Sequence, residues 1–485
     1  MLNPKITIKK YREGILKKDF SAYEATEFFL RRIENKDKEI DAFLEVWREE
    51  ALKEAMEIDK KIISGEKTGK LLGAPLALKD NILIKGREAT AGSKILKGYR
   101  AEYDSTVVSK LKEADAVFLG RANMDEFAFG SSTEKSAWKI TKNPHDLERV
   151  PGGTSGGPAA AVAGNMAIGA LGTDTGGSIR QPASFCGVVG LRPTYGAVSR
   201  YGVVAAASSF DQVGPITKTV QDASILFKII SGKDKFDSTS VDYQFRDGLL
   251  EPDFERMKKI KIGLPEELMD GESFKGVDEQ TNKKIKEAIE KLKSLGIEFK
   301  KISLPNSKYA LACYYISIFA EESSNLSRFD GLRYGAEGIR GGEEKLMDIY
   351  FNNKSEGFGE EVKRRLILGN FVLSSGFYDA YYGKAQMVRE MIKNDFKEAF
   401  KEVDVVFMPT APTTAFKIGE KNNDPLAMYY GDIFTVAVPL SGLPAISLPA
   451  DGYLGEEGMP VGFQLIGKKF GEEYILGIGQ FYEKI

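Results

Sequence analysis

Two parts of one short segment set hydroxyls among glycines: Gly152-Gly153-Thr154-Ser155-Gly156-Gly157 and Asp174-Thr175-Gly176-Gly177-Ser178. Glycine lets the main chain approach a reacting atom closely and take dihedrals that a Cβ forbids. Backbone N–H groups held that way can stabilise an oxyanion, and a hydroxyl beside them can attack a carbonyl. The pattern therefore supports acyl transfer through Ser178. The same glycines would also serve a loop pair packed tightly for space alone. A nucleotide cradle is a third use, but neither G-x-x-x-x-G-K-[ST] nor G-x-G-x-x-G occurs at these loops.

A nucleophilic serine needs a base. The one histidine among 485 residues is His145, in the polar, turn-like stretch Lys142-Asn143-Pro144-His145-Asp146-Leu147, so a Ser-His-Asp triad has a single candidate. The alternative is a lysine kept neutral near pH 7 by burial or a positive neighbour. Lys79 suits that role, because it ends the apolar run Leu72 to Leu78 and precedes Asp80-Asn81-Ile82. A lysine so placed could also snorkel to water at the strand edge. The residues alone leave both bases open.

Taken together, Leu78-Lys79-Asp80-Asn81, the 152–157 loop and Gly172 to Pro182 resemble the amidase signature family, and the resemblance continues through Phe185 to Thr194. In that family a lysine, a bridging serine in a cis peptide and a nucleophilic serine form a triad, the nucleophile following the bridge by 24 residues. Counted back from Ser178, the bridge falls at Thr154. Threonine departs from the usual serine but keeps the hydroxyl that must pass a proton, with a stiffer χ1. The resemblance thus implies Lys79 as base, Thr154 as relay with Ser155 as a stand-in, and Ser178 as nucleophile. It also implies an oxyanion hole built from the N–H groups of Thr175, Gly176, Gly177 and Ser178, and gives His145 no catalytic duty.

Later segments narrow the resemblance. Asn123 to Phe127, residues 323–335, residues 356–365 and Met428 to Asp432 are similar to the A subunits of aspartyl/glutamyl-tRNA amidotransferases, a branch of the same family. That likeness implies hydrolysis of glutamine, with ammonia passed to a B subunit that amidates misacylated tRNA using ATP and magnesium, in a complex that also holds a C subunit. No cofactor or metal is expected in this chain. Free glutamine carries an α-carboxylate and an α-ammonium, so its site needs a cation and an anion. Arg365 can clamp the first as a planar fork and Asp432 can hold the second. Tyr314 matches a pocket tyrosine of the family, and Gly130 and Ser131 are expected to line the same site. A stand-alone amidase of small acylamides would share Lys79, Thr154 and Ser178 without needing Arg365 and Asp432.

Composition bounds the setting. A net charge of −2 gives no basic excess for binding nucleic acid unaided. Two cysteines, Cys186 and Cys313, make neither a disulfide framework nor a metal site and suit a reducing cytoplasm. The lysine-rich residues 1–20 lack the apolar core of a signal peptide or anchor, so no membrane association is expected.

The elements that must position these residues read as one large α/β domain over 1–485, with a central mixed sheet covered by helices on both faces. Residues 1–65 are expected to supply N-terminal helices, 66–232 the catalytic half and 259–485 the substrate pocket. The capping-box pattern Ser21-x-x-Glu24 opens residues 21–64, read as helical throughout. Strands are expected at Leu72 to Leu78, Ala116 to Gly120 and Ala167 to Gly172, and a helix at Pro158 to Ala163. Residues 233–258 look like a connection, after which strands near 260–264 and 297–304 flank a helix near 278–295. Active-site groups of open α/β sheets gather beyond the carboxyl ends of strands, where Lys79, Thr154 and Ser178 could meet.

Overall fold

A computed structural model describes residues 2–332, 334, 345–450 and 458–484. Arg333 and Gly335 of the 323–335 segment lie outside the described residues. The strands are β1 (Phe43–Val46), β2 (Pro75–Lys79), β3 (Val117–Ala122), β4 (Gly169–Asp174), β5 (Val189–Arg192) and β6 (Gln212–Thr217), then β7 (Lys261–Pro265), the two-residue β8 (Met269–Asp270) and β9 (Ser273–Phe274), β10 (Glu298–Ile302), β11 (Val405–Pro409), β12 (Ala445–Pro449) and β13 (Gly462–Gly467). All but the small β8–β9 hairpin join one eleven-stranded sheet in the order β1-β3-β2-β4-β6-β5-β12-β13-β11-β7-β10. The pairs β2/β3, β2/β4, β7/β10 and β7/β11 are parallel and the others antiparallel, so the sheet is mixed, as expected. The two halves of the chain meet where β5 pairs with β12.

The sequence patterns account for most of these elements. The capping box forms in full: Ser21 Oγ accepts from the Glu24 N–H and the Glu24 carboxylate accepts from the Ser21 N–H, opening the helix Ala22–Ile40. The reading of 21–64 as helical throughout needs one correction. Phe43–Val46 forms an edge strand against β3 before the helix Arg48–Ser64 begins, because its apolar residues find a sheet edge rather than a helix face. The strand expected from Leu72 starts only at Pro75, after a turn in which Leu72 takes a left-handed conformation.

The short helix Gly156–Ala163 is wholly buried and packs on β2 and β4. Its run of glycine and alanine removes the bulk that would keep it off the sheet. Parallel pairing aligns Leu78 with Leu171, which brings Lys79, the last residue of β2, level with the carboxyl end of β4. The small helix then delivers residues 152–155 to the same place.

A buried ion triad fastens β4 to its surroundings. Asp174 pairs with Arg180 at 3.0 Å and with Arg192 at 3.1 Å, all three side chains being inaccessible. Arg180 also donates to the Gln464 side chain at 2.8 Å and to the Thr435 carbonyl at 3.2 Å, so the triad reaches from β4 and β5 into the second half. Burial by itself would raise the Asp174 pKa, but the two guanidinium groups outweigh it and hold the carboxylate at about 2. Removing one partner of a buried ion cluster leaves uncompensated charge and typically costs about 3 to 5 kcal/mol. Asp174→Ala should therefore destabilise the fold by that amount in urea unfolding. Because the folded pKa is depressed, the carboxylate's contribution is complete above the ordinary range near 4 and fades as the pH falls through about 2.

Candidate active site

Lys79 is completely buried, and its surroundings are hydroxyls and a carbonyl. Its Nζ lies 2.7 Å from Thr154 Oγ1, 2.9 Å from Ser155 Oγ, 2.9 Å from Thr173 Oγ1 and 3.4 Å from the Thr173 carbonyl. It makes no ion pair among the described residues. Burial lowers its pKa from the usual lysine range to about 7, against the opposing pull of Asp125, Asp174 and Asp211. The amine is therefore available as a base near neutrality.

The hydroxyls around Lys79 are not equivalent. Ser155 donates to the Thr173 carbonyl at 3.1 Å, which commits its proton, and Thr173 Oγ1 accepts from Asn81 at 3.1 Å. Thr154 has only Lys79 as a hydroxyl partner among the described residues. It follows a cis peptide bond from Gly153 and is fully buried, whereas Ser178 keeps 7% of its surface exposed. Exposure thus falls from Ser178 to Thr154 and Lys79. Ser178 is tied to the relay loop through its carbonyl, which accepts from the Ser155 N–H at 3.0 Å.

The loop between β4 and the helix Arg180–Phe185 carries Ser178. Asp174 accepts from the Ile179 and Arg180 N–H groups at 3.2 and 3.4 Å, which turns the chain sharply. The N–H groups of Thr175, Gly176, Gly177 and Ser178 donate to no other described residue. Four uncommitted donors beside a serine have the chemistry that an anion site needs. A Cβ at Gly176 would lie 2.3 Å from the Tyr314 hydroxyl oxygen, and Gly177 holds φ at +144°, so glycine is required at both.

Gln181 and Asp125 align the loops. Gln181 accepts from the Gly153 N–H at 2.9 Å and donates to the Ser131 carbonyl at 3.0 Å, bridging the relay loop to the 130–135 loop. Asp125 accepts from the N–H groups of Ser132, Thr133 and Lys135 at 3.3, 2.8 and 3.0 Å. Sequence reading missed both roles; Asp125 was visible only as part of a motif, and Gln181 only as the residue before Pro182.

The expected recognition residues form a second cluster. Asp432 accepts from Tyr315 at 2.7 Å and from Ser131 at 3.2 Å; burial raises its pKa to about 6. Gly130 lies against Asp125, and its partly exposed position lines a cavity of about 340 Å³ together with Tyr429 and Glu361. Tyr314 reaches the oxyanion loop at Gly176. Tyr315, next to it on the same helix, belongs to this cluster through Asp432. Arg365 is 3% exposed and boxed by the rings of Phe129, Phe319, Tyr429 and Tyr315 at 5.1 to 5.8 Å. Its Nε donates to Glu361 at 2.8 Å and its Nη1 to Glu322 at 3.0 Å. Burial alone would work against its charge, but these carboxylates keep it firmly protonated. Neither glutamate was expected at the site: Glu361 stands one helical turn before Arg365, a spacing that could have suggested the pair, whereas nothing in the sequence shows that residue 322 faces residue 365.

The structure brings Lys79, Thr154 and Ser155 together and does not bring His145 to them. His145 Nε2 donates instead to the Cys186 carbonyl at 3.0 Å. No cluster of three or more metal-binding side chains occurs among the described residues, and no described helix is long and apolar enough to cross a membrane.

Chemistry that uses Lys79 as a base requires the neutral amine. Its rate should rise about tenfold per pH unit below pH 7 and level off above the Lys79 pKa of about 7. Steady-state pH profiles of wild type would check this, with Lys79→Ala expected to abolish turnover.

Comparison with known proteins extends the geometry. A profile of the amidase family matches residues 24–476. The chain is 52% identical over 483 residues to the A subunit of glutamyl-tRNA(Gln) amidotransferase from Carboxydothermus hydrogenoformans, covering 99% of this chain and 97% of that protein. The crystal structure of the corresponding glutamyl-tRNA(Gln) amidotransferase A subunit from Thermotoga maritima matches with a TM-score of 0.80 and 42% identity, covering 100% of this chain and 96% of that one. A native peptide amidase from Stenotrophomonas maltophilia shares the fold at 26% identity and a TM-score of 0.80, covering 99% and 96%. With a buried lysine and hydroxyls beside an open anion loop, and with these matches over nearly its whole length, the chain belongs to the amidase family.

Proposed function

We propose that this chain is the glutamine-hydrolysing A subunit of a tRNA-dependent amidotransferase. The observation that carries the reaction class is the fully buried Lys79 amine against Thr154, its pKa lowered by burial to about 7, beside the four uncommitted N–H groups of 175–178. Ser178 Oγ attacks the side-chain amide carbon of glutamine, and its proton passes through Thr154 to Lys79. The N–H groups of 175–178 hold the resulting oxyanion. Collapse breaks the carbon–nitrogen bond, the nitrogen takes the returned proton and leaves as ammonia, and a glutamyl ester stays on Ser178. Water, deprotonated by the same relay, attacks the ester and releases glutamate.

The substrate assignment rests on the Arg365 and Asp432 cluster and on relatives about half identical over the full length. Arg365 takes the α-carboxylate and Asp432 the α-ammonium, with Ser131 and Tyr315 aiming Asp432 and Tyr314 closing the floor against Gly176. Gly130 lines the entry. The B and C subunits complete a heterotrimer in the cytoplasm. Misacylated tRNA and the ATP and magnesium that activate it belong to the B subunit, which receives the ammonia; this chain needs no cofactor.

The relay predicts that Thr154→Ser remains active while Thr154→Ala loses at least about two orders of magnitude in kcat, the scale typical of lost acid–base catalysis. An active alanine variant would move the relay to Ser155 or water. The recognition cluster predicts that Arg365→Ala abolishes ammonia release from glutamine and spares hydrolysis of an uncharged amide through Ser178. Equal loss on both substrates would overturn the recognition role of Arg365.

A further inference from the structure

Arg365 meets its substrate with part of its fork already occupied. Glu322, fully buried on the helix Ala310–Leu326, takes Nη1 through Oε1, and Glu361 takes Nε. Neither ion pair uses Nη2. The second oxygen of Glu322, Oε2, is buried and has no hydrogen-bond partner. Buried polar atoms are mostly partnered, and a bare one beside the guanidinium fork is free to take a ligand.

Charge makes the same demand. With both glutamates ionised, the buried side chains of Arg365, Glu322 and Glu361 would together be net negative, balanced only by the exposed Arg364 on the far oxygen of Glu361, and a ligand carboxylate reaching Nη2 would meet repulsion from Glu322. A proton on one glutamate removes that obstacle and supplies a donor. Glu361 already accepts from the Tyr429 hydroxyl at 2.9 Å as well as from Arg365 and Arg364, which is the environment of a carboxylate. Glu322 has Arg365 alone.

We propose that Glu322 is a specificity-determining residue of the substrate site: Oε1 steers the Arg365 guanidinium, while Oε2 carries a proton and donates it to the α-carboxylate of the bound amino acid. This rests on the glutamine reading and deepens it, since it explains how a site with three carboxylates admits a fourth. The charged and titratable groups facing Glu322 are Arg365 and Glu361 from the helix Glu360–Leu373, Asp211 from the loop before β6 and Tyr314 on its own helix. Burial is the largest influence, and with Glu361 and Asp211 it outweighs Arg365 to leave the Glu322 pKa at about 8.

The test is calorimetric binding of glutamine to the full chain carrying Ser178→Ala, which blocks turnover, with and without Glu322→Gln. The amide side chain of that variant has the shape and the donor of the protonated acid but cannot ionise. If only the protonated form binds, affinity at pH 9 falls about tenfold from its value at pH 7, and Glu322→Gln removes that loss. The ratio of the two proteins' affinities cancels the titration of the ligand's own ammonium. A ligand without the carboxylate, 4-aminobutanamide, should give a ratio independent of pH. The proposal is overturned if Glu322→Gln follows the same pH dependence as its parent, or if it weakens glutamine at pH 7 as severely as Glu322→Ala. Failure of glutamine to bind either protein while simple amides bind would overturn the glutamine reading and this inference together, an outcome distinct from the other two.

Discussion

A lysine amine sealed at the carboxyl end of β2 with no carboxylate to pair with is the constraint around which the rest is arranged. Charged lysine is costly to bury, so among the described residues the fold offers Lys79 the hydroxyls of Thr154, Ser155 and Thr173 and one carbonyl, partners that accommodate a neutral amine. Asp125, Asp174 and Asp211 lie close enough to be felt but are each occupied elsewhere: Asp125 with backbone N–H groups, Asp174 with two arginines, Asp211 with Thr175 and the N–H groups of Ala206 and Ala207. Had any of them reached the amine, the ion pair would have fixed it in its charged form.

That requirement explains why so much buried polar structure surrounds a small reaction centre. Segments distant in sequence must bring their hydroxyls and N–H groups within hydrogen-bonding reach of one another. Asp174 turns the chain so that the N–H groups of 175–178 point away from any internal acceptor, and its arginine partners anchor the turn to both halves of the sheet. Gln181 then spans the relay loop and the Ser131 loop. Displacing either loop would break hydrogen bonds in a dry environment, where each is expensive to lose, and this is what keeps the centre preorganised.

Recognition follows a different logic. The Arg365 cluster has abundant charge, yet it is wrapped in four aromatic rings that exclude water and strengthen every electrostatic contact inside. Lys79 and the hydroxyls around it come from residues before 180, whereas Arg365, its glutamates and Asp432 come from helices and loops after 310. Tyr314, lying against Gly176, is where the two meet. A division of this kind lets one hydroxyl relay serve different amides as the later segments change, in keeping with a peptide amidase sharing the fold at 26% identity.

The sequence by itself determined the chemistry-bearing residues and their local settings. Glycines that only a close backbone approach requires, a lysine ending an apolar run and a capping box are all local patterns, and each formed where its pattern stood. Most strands near the site were legible for the same reason, while Phe43–Val46 was not, because a four-residue strand is decided by the free edge of β3 rather than by its own periodicity. Only the tertiary structure set Lys79, and not His145, against the Thr154 and Ser155 hydroxyls, committed the Ser155 proton to a carbonyl while leaving Thr154 to accept from Lys79, and brought Glu322 to Arg365. Those outcomes depend on burial and on distances between segments up to about three hundred residues apart, as between Ser131 and Asp432. Burial sets whether an ionisable group keeps its charge, and no spacing along a chain specifies it.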